Sequence, residues 1–141
     1  MSREESQDPR LPDDVQPVNQ AGKEEPLWLA AVRAAESKKA SDIRVLDLRE
    51  VTTFADFFVV CSGSSQRQIQ AISDEIGLQL KQQGELPISV EGYENAEWVL
   101  ADYGDFLVHI FSPKARSYYE LERLWRHAKE MPIPAPQDQP S

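Results

Sequence analysis

The residues best typed for chemistry are Cys61-Ser62-Gly63-Ser64-Ser65-Gln66-Arg67. A cysteine ending an apolar run, followed after five intervening residues by an arginine on a helix start, is the layout of a cysteine-dependent phosphatase. Backbone N–H groups at a helix start attract an oxyanion, the same field lowers a thiol pKa, and Arg67 could grip phosphate through two nitrogens. Such an enzyme also needs a carboxylic acid to protonate the leaving group, and Asp47, Asp56, Asp102 and Asp105 are candidates. The competing reading is that Cys61 is a small buried hydrophobe and that Ser62 to Ser65 caps a helix. The pattern is short enough to recur by chance, which favours the second reading.

Gly63-Ser64 followed by Asp74-Glu75 has the outline of a nucleotidyltransferase remnant. Two carboxylates must project together to hold magnesium, whereas neighbours on a helix point about 100° apart. One cysteine and two histidines, His109 and His127, are too few for a structural zinc site, and neither metal nor cofactor is expected. His109, set among apolar residues, reads as a hydrogen-bonded core histidine. His127 stands near a helix C-terminus, where partial positive charge is favourable without further purpose.

These residues need elements to position them. Pro26 suits a first helical turn, and Leu27, Trp28, Ala31, Val32, Ala34 and Ala35 form an apolar stripe at helical spacing, ending near Lys39. Ile43 to Leu48 reads as a short strand, and Phe57 to Cys61 as one buried on both faces. Ser65 with Gln68 matches a capping box for a helix striped by Ile69, Ile72, Ile76 and Leu80 and stopped at Gly84. Pro87 to Val90 suits an edge strand because of its proline. Ser112-Pro113 opens a last helix, on which Tyr118, Leu121, Leu124 and Trp125 are spaced to pack on the sheet. Glu122 and Arg126 make an i, i+4 pair there.

The longest patterned stretch is Glu97 to Phe111, read as a β-hairpin turning at Asp102-Tyr103-Gly104-Asp105, where Gly104 can take the positive φ of a tight connection. Phe106 to Phe111 is apolar on both alternating sets apart from His109, as an interior strand should be. On the other strand Trp98, Leu100 and Asp102 point one way and Val99, Ala101 and Tyr103 the other. Trp98 and Leu100 are either plain core or an anchor patch for a partner. The element order predicts an α/β (α+β) fold, a single domain with a mixed five-stranded sheet flanked by helices over residues 26–130. Residues 1–25, acidic with Pro9, Pro12 and Pro17, read as a disordered tail, and 131–141 as a proline-rich one.

A formal net charge of −9 argues against phosphate-backbone recognition and for a protein partner. The single cysteine excludes an intrachain disulfide. No apolar run reaches the roughly 20 residues that span a bilayer, and the start has neither a signal-peptide core nor transit-peptide composition, so a cytoplasmic location is expected.

Several ordered blocks together resemble a known family. They are Ala40-Ser41-Asp42-Ile43 with Leu46-Asp47, Asp56 to Val60 running into Ser62-Gly63-Ser64-Ser65 and Arg67-Gln68, Glu91-Gly92, Trp98 to Asp105, Val108 to Phe111, and Tyr119 to Trp125. Over about residues 27 to 127 this is similar to the ribosomal silencing factors, also called RsfS or Iojap. The resemblance implies a non-enzymatic protein with a fold similar to nucleotidyltransferases without their catalytic carboxylates. It implies binding to the fourteenth protein of the large ribosomal subunit, on the face that meets the small subunit, and a steric block of subunit joining when nutrients are short. Carried onto this sequence, the contact surface centres on Trp98, Leu100, Asp102 and Tyr103, with Val99 and Asp105 beside them. Little or no direct RNA contact is expected, and a homodimer of the free protein stays open. Cys61, the acidic N-terminal extension and the proline-rich end depart from the family pattern.

Overall fold

The computed structural model of the protein describes residues 25–135. The two terminal tails, up to residue 24 and from residue 136, lie outside the described residues. In chain order the elements are α1 (Leu27–Ser37), β1 (Ser41–Asp47), β2 (Phe57–Ser62), α2 (Gln66–Gln82), β3 (Ser89–Glu91), β4 (Trp98–Asp102), β5 (Phe106–Phe111), α3 (Pro113–Tyr119), α4 (Leu121–Leu124) and β6 (Lys129–Met131). They build one mixed sheet in the order β3-β4-β5-β2-β1-β6, in which β2 and β5 run parallel and the other pairs antiparallel.

Alternation along the strands sorts side chains onto two faces. One face carries Val45, Val59, Cys61, Val99, Ala101, Val108 and Ile110 against α1 and α2. Its helices contribute Ala31, Val32, Ala35, Ile69, Ile72, Ile76 and Leu80, all 1 % exposed or less. The opposite face carries Leu46, Phe58, Val60, Leu107 and Phe111, met by Ala115, Leu121 and partly by Trp125 and Ala128. β5 lies between β4 and β2 with all of its residues buried, as its doubly apolar pattern requires.

The structure differs from the sequence expectation at the C-terminal end. A sixth strand, β6, pairs with β1 at the far edge, and the chain beyond it stays attached. Ile133 packs against the α1 side of the core, and Arg33 of α1 donates to the carbonyls of Pro134 at 2.6 Å and Ala135 at 3.3 Å. The domain therefore runs past residue 130. Three residues with a charged pair at the start give no strand periodicity, so β6 is visible only as a partner of β1.

The expected last helix is broken. Glu120 takes φ +48° and ψ 52°, a left-handed conformation that ends α3 and starts α4. Tyr118, on α3 before the break, is 79 % exposed instead of packing on the sheet, while Leu121 just after it is buried. A non-glycine residue at positive φ costs on the order of 1 kcal/mol and has no local sequence signature. The side chains of Glu122 and Leu124, and with them the expected Glu122–Arg126 pair, lie outside the described residues.

Candidate partner-binding site

The phosphatase layout is not assembled. Cys61 is fully buried on the α1/α2 face. Burial pushes its thiol up to about 12, against a weaker opposite pull from Arg116, so it is no thiolate at neutral pH. Arg67 is exposed on α2, away from that core. Ser62 to Ser65 instead makes a cap in which the Ser65 hydroxyl accepts from the Gln68 N–H at 3.0 Å. The Gln68 carbonyl oxygen accepts from Ser64 N–H at 2.6 Å, one residue earlier than a reciprocal box would have it. Its amide nitrogen donates to the carbonyls of Lys38 and Lys39, both at 3.0 Å, tying the start of α2 to the end of α1. A Cβ at Gly63 would stand 2.8 Å from the Ile69 side chain, so the glycine serves close packing.

The carboxylates are dispersed. Asp47 pairs with Arg49 at 2.8 Å, and Asp102 accepts from Gly104 N–H at 2.8 Å. Asp74 accepts from the Tyr93 hydroxyl at 3.0 Å, while Glu75 accepts from Gln79 at 2.6 Å. Among the described residues, no group of three or more His, Cys, Asp and Glu side chains could hold a metal ion.

The hairpin forms as expected. Gly104 adopts φ +90°, the Asp102 carboxylate caps the turn, and Tyr103 N–H donates to Phe106 at 3.0 Å. The residues singled out there fall into three groups. Trp98, Leu100 and Asp102 are half-buried on the face that carries α3 and α4. Val99 has no exposed surface and belongs to the α1/α2 core, so its side chain is closed to a partner, contrary to expectation. Tyr103 lies on the α1/α2 side, stacked on Phe106 at 5.2 Å, and Asp105 is exposed at the turn. Trp98 and Tyr103 thus do not share a face.

Trp98 is held from several sides. Its indole N–H donates to His109 Nδ1 at 3.1 Å, and its ring lies 5.2 Å from Phe111 and 4.6 Å from Tyr119. A Cβ at Gly92, which adopts φ +81°, would come within 2.1 Å of the Trp98 carbonyl oxygen, so only glycine lets the preceding loop close on this backbone. His109 is 3 % exposed, and burial lowers its pKa to about 3. Neutral, with Nδ1 accepting, it carries its hydrogen on Nε2, the one buried side-chain polar atom without a partner among the described residues. The expected core histidine is therefore only half satisfied. Its useful bond fixes Trp98 and uses up the indole donor, leaving the apolar ring surface to the outside.

The tyrosines were missed as site residues. Tyr119, 42 % exposed, covers one side of Trp98, and exposed Tyr118 meets it edge-on at 5.0 Å.

Fold and site together define a mixed-sheet α/β domain with one face packed by α1 and α2 except at the β3 edge, where Val90 is exposed, and the other ending in a half-covered aromatic patch. A family model described as "Ribosomal silencing factor during starvation" matches residues 21–141. The chain belongs to the ribosomal silencing factor family. It is 44 % identical over 102 residues to ribosomal silencing factor RsfS of Halalkalibacterium halodurans, spanning 72 % of this chain and 87 % of that protein. It is also 44 % identical over 98 residues to the Bacillus subtilis protein of the same name, 70 % of this chain and 83 % of the other. The X-ray structure of a Chromobacterium violaceum protein superposes with a TM-score of 0.70 at 33 % identity, covering 81 % of this chain and 94 % of that one.

Proposed function

We propose that the protein represses translation by occupying the large ribosomal subunit through its fourteenth protein and blocking entry of the small subunit. The observation that carries this reading is the half-buried Trp98, braced by His109 and Tyr119 beside half-buried Leu100, at the less covered end of an otherwise packed sheet face. Aromatic anchors held in a fixed rotamer lose little entropy on binding, which is the character of an interface hot spot. Trp98 and Leu100 supply the apolar contact, with Asp102, Tyr103 and Asp105 at the hairpin end as its polar rim. The formal charge of −9 suits a basic ribosomal protein and steers encounter. Among the described residues no helix is long and apolar enough to cross a membrane, and the site of action in this reading is the cytoplasm. Self-association of the free protein through the same patch would compete with ribosome binding.

The test is light scattering of purified subunits mixed with increasing amounts of the protein. Dose-dependent loss of subunit joining is expected. Full joining at saturating protein contradicts the proposal.

A further inference from the structure

Two adjoining clefts lie next to the Trp98 patch. One, of about 340 Å³, is lined by Tyr118, Tyr119, Glu120, Arg123 and Arg126. The other, of about 300 Å³, is lined by Asp42, Arg44, Arg116, Glu120 and Arg123. Glu120 and Arg123 belong to both, so the clefts form one groove. Four arginines and two carboxylates line it, with Glu130 against Arg44 at 3.6 Å, so positive side chains gather here on a chain of formal net charge −9.

The arginines fall into a fixed set and an adaptable set. Arg116, only 11 % exposed, donates to Ser62 Oγ at 2.8 Å and to the Asp42 carbonyl at 2.9 Å, and pairs with the Asp42 carboxylate at 3.1 Å. Arg44 is held by Asp42 at 3.0 Å and by Glu130 at 3.6 Å. Arg123 is 76 % exposed and bonded to Glu120 at 3.0 Å, an exposed pair of the kind worth 0 to about 1 kcal/mol, which exchanges its carboxylate for another anion at little cost. Arg126 is exposed at the other end. The left-handed joint at Glu120 sets these side chains beside Tyr118 and Tyr119, and Tyr119 touches Trp98.

We propose that this groove takes the phosphodiester backbone of RNA next to the protein contact on the large subunit, with Arg123 and Arg126 on phosphates and Tyr118 against a sugar or base. Guanidinium forks match phosphate oxygens in a bidentate way, and exposed tyrosines accept stacking without sequence preference. A protein partner for an arginine groove would have to be acidic, whereas the Trp98 patch of an acidic chain looks toward a basic one. The chain-wide charge, which argued against RNA contact, averages over this local reversal. The inference rests on the ribosome-docking reading.

The experiment compares the parent protein with Arg123→Gln/Arg126→Gln, both exposed positions, after matching their thermal unfolding. Affinity for isolated large subunits is measured across a salt series, alongside affinity for the purified fourteenth ribosomal protein and for a fluorescein-labelled RNA duplex. The variant should bind large subunits at least tenfold more weakly at low salt, with a log–log salt slope about two units shallower, and bind the ribosomal protein as the parent does. Equal subunit affinity and slope overturn the inference, as does an equal loss toward the ribosomal protein, which would place the arginines on protein. If the parent ignores large subunits, the docking reading fails, and the duplex decides the groove alone. Salt-sensitive binding lost in the variant supports the groove, and identical or absent binding overturns it.

Discussion

The two faces of the sheet are built from the same strands but finished differently. The α1/α2 face is closed by two long helices with aliphatic stripes. The other is covered by two short helices joined at a strained residue, and beside its aliphatic core of Leu46, Leu48, Val60, Leu107 and Leu121 it gathers Phe58, Phe111, Trp98, Trp125 and the buried His109 into one aromatic cluster. Aliphatic packing tolerates no loss without a cavity. Aromatic rings at the border of a half-covered face retain surface for a second molecule. One face is mostly closed, and the other keeps partly open the surface that the proposed function uses for binding.

That contrast can be broken at several points, the largest effect coming first. Ile76→Ala, at 1 % exposure between α2 and the sheet, should cost about 2 to 5 kcal/mol in urea unfolding, whereas Leu100→Ala on the half-covered face should cost about 1 kcal/mol or less. Equal costs would erase the distinction.

His109 gives a pH-dependent test. Its folded pKa, about 3, lies below the ordinary 6.5 of a histidine, so the unfolded chain takes up the proton first. The contribution is fully present above about pH 6.5 and is lost as pH falls toward 3, with a slope of up to about 1.4 kcal/mol per pH unit. Asp47, lowered from 3.8 to about 2 chiefly by its hydrogen bond with Arg49, titrates only at the bottom of that range. His109→Phe should therefore flatten unfolding free energy between pH 6.5 and 4.5. It should also speed hydrogen exchange at the Trp98 indole N–H, read by NMR. An unchanged slope and exchange rate would mean that His109 does not hold Trp98.

The smallest expected effect is a null. Cys61 should resist iodoacetamide at pH 8 in the folded protein and react only on unfolding, because burial holds the thiol neutral. Rapid labelling of the native chain would reopen nucleophilic chemistry at that strand end.

Much of the covered face was legible in the sequence, because period and composition agreed there. Ile69, Ile72, Ile76 and Leu80 lie on one side of α2 as spaced, and Phe106 to Phe111 is interior as its doubly apolar pattern requires. The hairpin turn was readable from Gly104, since few residues accept its φ. The half-covered face was harder. Val99 has the same residue type whether it faces a partner or a core, and only the register against Ile110 assigns it. Tyr119 came to light through the turn at Glu120, which no residue type announces. The Trp98–His109 bond joins residues on neighbouring strands that lie diagonally, two positions apart in register, a long-range fact that local pattern does not carry.

In the proposed function, Trp98 is braced from within so that its ring anchors a partner. Calorimetric titration of the purified fourteenth ribosomal protein with the parent chain and with Trp98→Ala tests it most directly, once both are shown to unfold cooperatively at similar temperature. The account predicts that the variant stays folded and loses about 2 kcal/mol or more of binding free energy. A variant that folds and binds as the parent does, or one that cannot fold at all, would contradict it.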